Sequence, residues 1–385
     1  MRRILATCLL AALIGTAGPA HACSAFVVSA GGRVLAGNNE DFWNPETRVW
    51  FVPAGEGTHG RVYFGFANLY PQGGMNEKGL FFDGFATRPL EVTGSGGREK
   101  FAGNLIDEAM ARCATVEEVV ELFGRYDLEW LERAMLMFGD RTGDSVIIEG
   151  DVFLRTKGRH QVVTNFYQSL ADPQHPPCER YRIADRMLAD AGEIDLELAR
   201  RVLAAVHAEG KAPTQYSNIY DLARGVVYLY HFHNFENVVV IDLAEELKKG
   251  ARVLKLPELF PETFAYRRFV ASRNDEIERR KRELRARDFD AATLDDYVGR
   301  YRLVVDGATE APLVEVVRHE GALRAEIEGR SPIEMLPEGP DLFFHVDLEG
   351  LTRIRFVRGD DGEVVRAVLT PELGRPYEAE RVTPR

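Results

Sequence analysis

A short apolar run closing on Ala20-His21-Ala22 stands directly before Cys23, and that junction decides where the folded chain begins. Arg2 and Arg3 form a positive head, Ile4 to Gly18 is apolar, and alanine, a free position and alanine then make a signal-peptidase site. A membrane span needs ~18 or more apolar residues; this run is shorter, holds two glycines and lacks a stop-transfer flank. Residues 1–22 therefore read as a signal peptide, and the mature protein as secreted or periplasmic with no membrane span.

Cutting after Ala22 makes Cys23 the first mature residue and puts a free α-amine beside its thiol. Such an amine has a reference pKa of ~7.7 to 8.0 and can serve as a base near neutral pH. A thiol of pKa ~8.5 needs that help to become a nucleophile. Two plainer readings compete: a small apolar cysteine opening a strand, and a lipidated cysteine, which the alanine-histidine-alanine sequence fits poorly. Of the four cysteines, Cys8 leaves with the signal, so Cys23, Cys113 and Cys178 remain, an odd number in an oxidising compartment. Cys113 and Cys178 read as structural, with a disulfide between them left open.

The 385 residues suit about two domains, and 45% hydrophobic with 28% charged residues is ordinary globular composition. A net charge of −12 repels polyphosphate, which argues against a nucleic-acid partner. After Cys23, Ser24 to Val28 and Arg33 to Ala36 flank Gly31-Gly32 as a hairpin. Its return strand runs into Gly37-Asn38-Asn39-Glu40-Asp41, read as turn-rich, which brings Asp41 back toward the new terminus. Taken alone, Asp41 is more simply an Asx-turn residue.

A mature N-terminal cysteine, the Gly-x-Asn-x-Asp segment and Gly74-Met75-Asn76-Glu77-Lys78-Gly79-Leu80 together resemble the choloylglycine hydrolase and penicillin V acylase family. These are linear amide hydrolases within the N-terminal nucleophile hydrolases. The resemblance continues through Thr164-Asn165 and Cys178-Glu179-Arg180-Tyr181 and spans roughly residues 23 to 255. It implies Cys23 as nucleophile, Asp41 holding its amine, Asn165 near the oxyanion and Arg180 as an orienting charge. It also implies a thioester intermediate and no cofactor or metal. Two positions depart from the family: Asn38 stands where it carries arginine, and Ala86 where it carries an oxyanion-binding asparagine. Substrate identity is therefore not carried across, and the oxyanion needs backbone N–H groups, Asn165 or another donor.

Ile106, Ala109, Met110 and Cys113 follow helical spacing, and Thr115-Val116-Glu117-Glu118 is a capping box opening a second helix. Ala134–Phe138, Ser145–Glu149, Val152–Thr156 and Gln161–Thr164 read as strands. Helices and strands in blocks predict an α+β fold, and the resemblance implies a four-layer αββα sandwich over residues 23–272. A charged helical linker over 273–292 carries Ile277 and Leu284 one heptad apart. About six short strands over 293–385 then predict a small all-β barrel, whose start at Leu294 to Tyr301 resembles lipocalin-like domains of secreted serine hydrolases. Packing, dimerisation or pocket-shaping is its expected role, with a ligand of its own as the alternative.

Weaker candidates are His231-Phe232-His233, read as a strand end rather than a metal pair, and Gly94-Ser95-Gly96-Gly97, read as a loop rather than a phosphate cradle. Trp43, Trp50, Phe51, Tyr70, Phe82 and Phe85 suit an apolar acyl pocket or a core equally well. The sequence thus points to a secreted cysteine amidohydrolase cutting a linear amide of an N-acylated small molecule, its partner that substrate, with homo-oligomerisation open. The alternatives are an acyltransferase passing the acyl group to an amine and a non-catalytic ligand-binding envelope protein.

Overall fold

The computed structural model describes residues 23–90, 92, 97–286, 289–304, 313–327, 332–372 and 376–382. Residues 1–22, where the signal peptide is expected, and Gly94-Ser95-Gly96 lie outside them. The fold is mixed α+β: two antiparallel sheets, six helices and a closed antiparallel barrel among the described residues.

The first sheet has the spatial order β10 (His160–Thr164), β1 (Ser24–Ala30), β2 (Arg33–Asp41), β11 (Thr214–Asp221), β12 (Val226–His231) and β13 (Asn234–Asp242). The second runs β14 (Arg252–Lys255), β3 (Thr47–Val52), β4 (Arg61–Phe66), β5 (Pro71–Asn76), β6 (Phe81–Ala86), β7 (Ala134–Gly139), β8 (Ser145–Glu149) and β9 (Val152–Arg155). Side chains alternate across a strand, and β1 shows the consequence. Cys23, Ala25 and Val27 enter a core shared with the second sheet, while Phe26 and Val28 enter a core with α3 (Glu179–Asp190) and α4 (Leu196–Val206). A further core joins the far side of the second sheet to α1 (Leu105–Arg112) and α2 (Val116–Phe123).

Local chemistry sets these elements. Thr115 and Glu118 form the expected capping box of α2, and Asn104 caps α1. The Gly74–Leu80 motif is architectural. Asn76 donates from Nδ2 to the Met110 and Cys113 carbonyls at the end of α1, and its Oδ1 accepts from the Lys78 and Leu80 amides. Gly79 has φ +80° and lies so close to the Leu222 carbonyl that a Cβ would sit 2.3 Å from that oxygen, so only glycine fits this turn.

Three expectations change. Gly37 to Asp41 is the buried second half of β2 rather than a turn, because hydrogen bonding to β1 and β11 on both sides outweighs the turn preference of Asn and Asp. Cys113 and Cys178 are free thiols in different layers, Cys113 in the α1–α2 core and Cys178 capping α3. The barrel has eight strands: β15 (Gly299–Leu303), β16 (Leu313–His319), β17 (Ala322–Ile327), β18 (Ile333–Gly339), β19 (Leu342–Asp347), β20 (Gly350–Arg358), β21 (Val364–Pro371) and β22 (Tyr377–Val382). Pro337 and Gly339 disguise β18, and β22 buries only Ala379, so neither reads as a strand from its own composition.

Between the sheets and the barrel, α5 (Leu243–Leu247) precedes β14, and α6 (Phe264–Leu284) is one helix that contains the charged stretch. Ile277 and Leu284 pack on the barrel's outer wall at Leu336, Phe344, Val346 and Leu351, and Arg280 reaches Glu372 through two bonds of 2.9 and 3.0 Å. Inside, Tyr297 packs on Phe343 and Phe356 with ring centroids 4.9 and 4.8 Å away. An apolar cavity of about 120 Å³ lies beyond, lined by Leu303, Val314, Ile327, Ile333, Leu369 and Tyr377 among others. Among the described residues, no helix is long and apolar enough to cross a membrane.

Candidate active site

Ser24 pairs with Asn39 on one side and Thr164 on the other, so Cys23, one step earlier, stands between the ends of β2 and β10. Its thiol is 4% exposed and Sγ lies 3.9 Å from the Asp41 carbonyl oxygen. Burial pushes the thiol pKa well above its ordinary value, and the nearby Glu40, Asp41 and Asp83 carboxyls push the same way.

Asp41 ends β2 and is fully buried. Its Oδ2 accepts from Arg180 Nη1 at 3.0 Å, and its Oδ1 accepts from the Thr214 hydroxyl. Burial raises its pKa to about 7, against the lowering by Arg180, the Thr214 bond and His207. Arg180 is in the first turn of α3, and packing of α3 against the first sheet delivers it to the strand end. Asn165, just past β10, donates from Nδ2 to the Ala86 carbonyl at 2.8 Å. Its Oδ1 has no hydrogen-bond partner among the described residues. All four residues named from sequence thus stand around one end of the first sheet.

Strand alternation sets Asn38, noted from sequence only as a departure, beside residues that the sequence reading missed. Asn38 and Glu40 share the inter-sheet face of β2, and Tyr216, Asn218 and Tyr220 share that of β11. Asn38, where the family pattern has arginine, bridges the sheets. It donates to Asp83 Oδ1 at 3.0 Å and accepts from Asn218 Nδ2 at 3.2 Å. Glu40 is 3% exposed with its pKa raised to about 8, chiefly by burial and then by Asp41, while hydrogen bonding to the Cys23 side chain acts in the opposite direction. Asp83 is fully buried, and burial with the charges of Glu40 and Asp41 pushes its pKa well up. A signal for Asp83 did exist: it is the one acid in the apolar run Phe81-Phe82-Asp83-Gly84-Phe85. Glu40 had none while its segment was read as a turn.

The remaining candidates disperse. His231 closes β12 with its ring 4.5 Å from Tyr266 and 5.5 Å from Phe260, and burial lowers its pKa to about 4. Phe232 and His233 form the turn that follows, at φ 49° and 46°. Phe51 and Phe85 share the core that holds Cys23, whereas Trp50 and Phe82 face α1 and α2, and Tyr70 is 48% exposed. Trp43 stacks on Phe42 with ring centroids 4.3 Å apart.

No protein-family model matches this sequence, and no curated protein matches it. Among solved structures, the chain is similar to a mutant conjugated bile acid hydrolase from Clostridium perfringens, at 19% identity and a TM-score of 0.47 over 63% of this chain and 97% of that one. A second variant of that hydrolase gives 19% identity and 0.47, over 63% of this chain and 99% of the other. Penicillin V acylase from Agrobacterium tumefaciens gives 19% identity and 0.46, over 60% of this chain and 90% of the other.

Proposed function

We propose that this chain is a secreted or periplasmic N-terminal cysteine hydrolase that cleaves a linear amide of an N-acylated small molecule. One juxtaposition carries the reading: the Cys23 thiol, the Arg180-bound Asp41 and Asn165 meet at one strand end, directly after a signal-peptidase site. In this reading residues 23–272 are the catalytic unit, a four-layer αββα sandwich in keeping with its three cores, 273–292 a linker and 293–385 a separate barrel.

Cleavage before Cys23 supplies the base that the buried thiol otherwise lacks. The freed amine takes the thiol proton, Sγ attacks the amide carbon, and collapse of the tetrahedral oxyanion breaks the C–N bond as the amine returns the proton to the leaving nitrogen. Water activated by the same amine then releases the acid from the thioester. Asp41, fixed by Arg180 and Thr214, orients the nucleophile's strand end rather than touching substrate. Each oxyanion donor is worth ~3 to 4 kcal/mol, so the donor set decides how fast the chemistry runs.

The test is the intact mass of the exported protein before and after brief exposure to a thiol-reactive acyl probe, in the native chain and in Cys23→Ser. A mass beginning at Cys23 that gains one acyl group only in the native chain supports the reading. A lipid-modified, uncut or unreactive Cys23 overturns it and points to ligand binding instead.

A further inference from the structure

The amide side chains near Cys23 are heavily committed. Asn218 Nδ2 donates to Asn38 Oδ1 and the Tyr220 hydroxyl, Asn38 Nδ2 to Asp83, and Asn165 Nδ2 to the Ala86 carbonyl. Residue 86 itself brings no side-chain donor. Four buried oxygens on the face that Cys23 shares have no hydrogen-bond partner among the described residues: Glu40 Oε2, the Tyr216 hydroxyl, Asp83 Oδ2 and Asn218 Oδ1. The amide oxygen can only accept, the other oxygen of Asp83 is tied to Asn38, and Glu40 and Tyr216 are the two that adjoin each other beside Cys23. They are neighbours, since Tyr216 pairs with Glu40 in the register of β11 and β2. Glu40 is also the residue that one further step of the β1–β2 register sets opposite Cys23, on the same face of the sheet.

We propose that Glu40, acting as an uncharged carboxylic acid, and the Tyr216 hydroxyl form the donor pair that stabilises the oxyanion produced at Cys23. This rests on the reading of Cys23 as nucleophile. As the Sγ–C bond forms, the carbonyl π pair moves onto oxygen, and the thiol proton goes to the mature amine. Glu40 and Tyr216 keep their protons and donate hydrogen bonds to that oxygen. When the C–N bond breaks, the amine passes its proton to the leaving nitrogen.

An ionised carboxylate here would repel the oxyanion, so the role requires an environment that keeps Glu40 neutral, and the surroundings do so. The ionisable groups facing it are Cys23 from β1, Asp83 from β6, Tyr216 and Tyr220 from β11 and Asp41 on its own strand. Each of these is neutral or negative; the freed α-amine of Cys23 is the one opposing charge, cationic while it carries the thiol proton, and burial with the neighbouring carboxyls acts against it. The Arg180 cation is engaged with Asp41. A carboxyl held neutral by burial beside a tyrosine is an effective oxyanion donor.

The experiment uses the processed, exported chain with p-nitrophenyl esters from acetyl to decanoyl, reading the acylation of Cys23 by intact mass and its rate against pH. Iodoacetamide serves as control, because displacement of iodide forms no oxyanion. Glu40→Leu is expected to slow acylation about 10²- to 10³-fold while alkylation of Cys23 persists. Glu40→Gln, which keeps a neutral donor, is expected to restore acylation to within about tenfold of native and to abolish the native fall in rate above about pH 8. Tyr216→Phe should lose about 10²-fold. Acylation as slow in Glu40→Gln as in Glu40→Leu would identify a base rather than a donor and overturn the proposal, as would unimpaired acylation in Glu40→Leu. Failure of the native chain to acylate on Cys23 sinks the underlying reading as well, which separates the two failures.

Discussion

The Arg180 guanidinium holds the fully buried Asp41 carboxylate at 3.0 Å, so α3 supplies the charge partner for the last residue of β2. Removing the cation leaves a buried acid with only the Thr214 hydroxyl. Breaking a buried pair costs about 3–5 kcal/mol, and the 21% exposure of the Arg180 side chain places Arg180→Ala at the lower end of that range at pH 8, where Asp41 is ionised. The cost is lower still at pH 5, where Asp41 takes up a proton instead. Urea unfolding should show this loss, and Asp41→Asn added to Arg180→Ala should restore part of it. Equal stability of the single and double variants would contradict the assigned partnership.

Stability should fall as pH rises from about 4 to about 8. Burial raises Glu40 from 4.5 to about 8 and Asp41 from 3.8 to about 7, so in that window the folded chain binds more protons than the unfolded chain. The stabilisation is complete below the unfolded values and is lost through the folded ones. Melting temperature should therefore be higher at pH 5 than at pH 8, and Glu40→Gln should flatten the upper part of the slope.

Gly73→Ala should disturb the bridge between the sheets. A Cβ at this position would lie 2.5 Å from Asp83 Oδ1, the oxygen that accepts from Asn38. Asp83 must then move, which strands a buried polar group at a cost of about 1–3 kcal/mol. The check is a fall in the urea midpoint that Asp83→Ala, combined with it, largely relieves.

Phe344→Ala should loosen the barrel from α6. Phe344 is fully buried against Ile277 on the barrel's outer wall, and truncating such a ring costs about 3–5 kcal/mol. The nearby Arg280–Glu372 pair is partly exposed and adds little. Limited proteolysis should free the barrel early while acyl labelling of Cys23 persists; simultaneous loss of labelling would show that the two parts are not separable.

Much of the chain was readable because short-range rules decide it. The capping box at Thr115, the helix carrying Ile106, Ala109 and Met110, which ends at Arg112 with Cys113 as its extended cap, and the strands from Ala134 to Thr164 each follow from local pattern, and the structure contains them. What misled was chemistry overridden at long range. Asn38-Asn39-Glu40-Asp41 looks like turn sequence, yet two flanking strands absorb its backbone groups and make it β2. The Gly74–Leu80 motif, which carried so much of the resemblance, braces α1 through Asn76 and supplies no group to Cys23.

The sequence alone put a cysteine directly after a stretch that reads as a signal-peptidase site, marked Asp41, Asn165 and Arg180 as worth finding, and set helices and strands in blocks before an all-β end. Those are matters of residue order and of patterns a few residues long. Only the tertiary structure decided that Glu40, Asp83 and Tyr216 face the same interior as Cys23, that Arg180 is spent on Asp41, and that eight strands close the barrel. The reason is that strand register and sheet stacking join residues separated by 45 to 180 positions, as Asn38 is joined to Asp83 and Asn218, and no local pattern encodes such pairs.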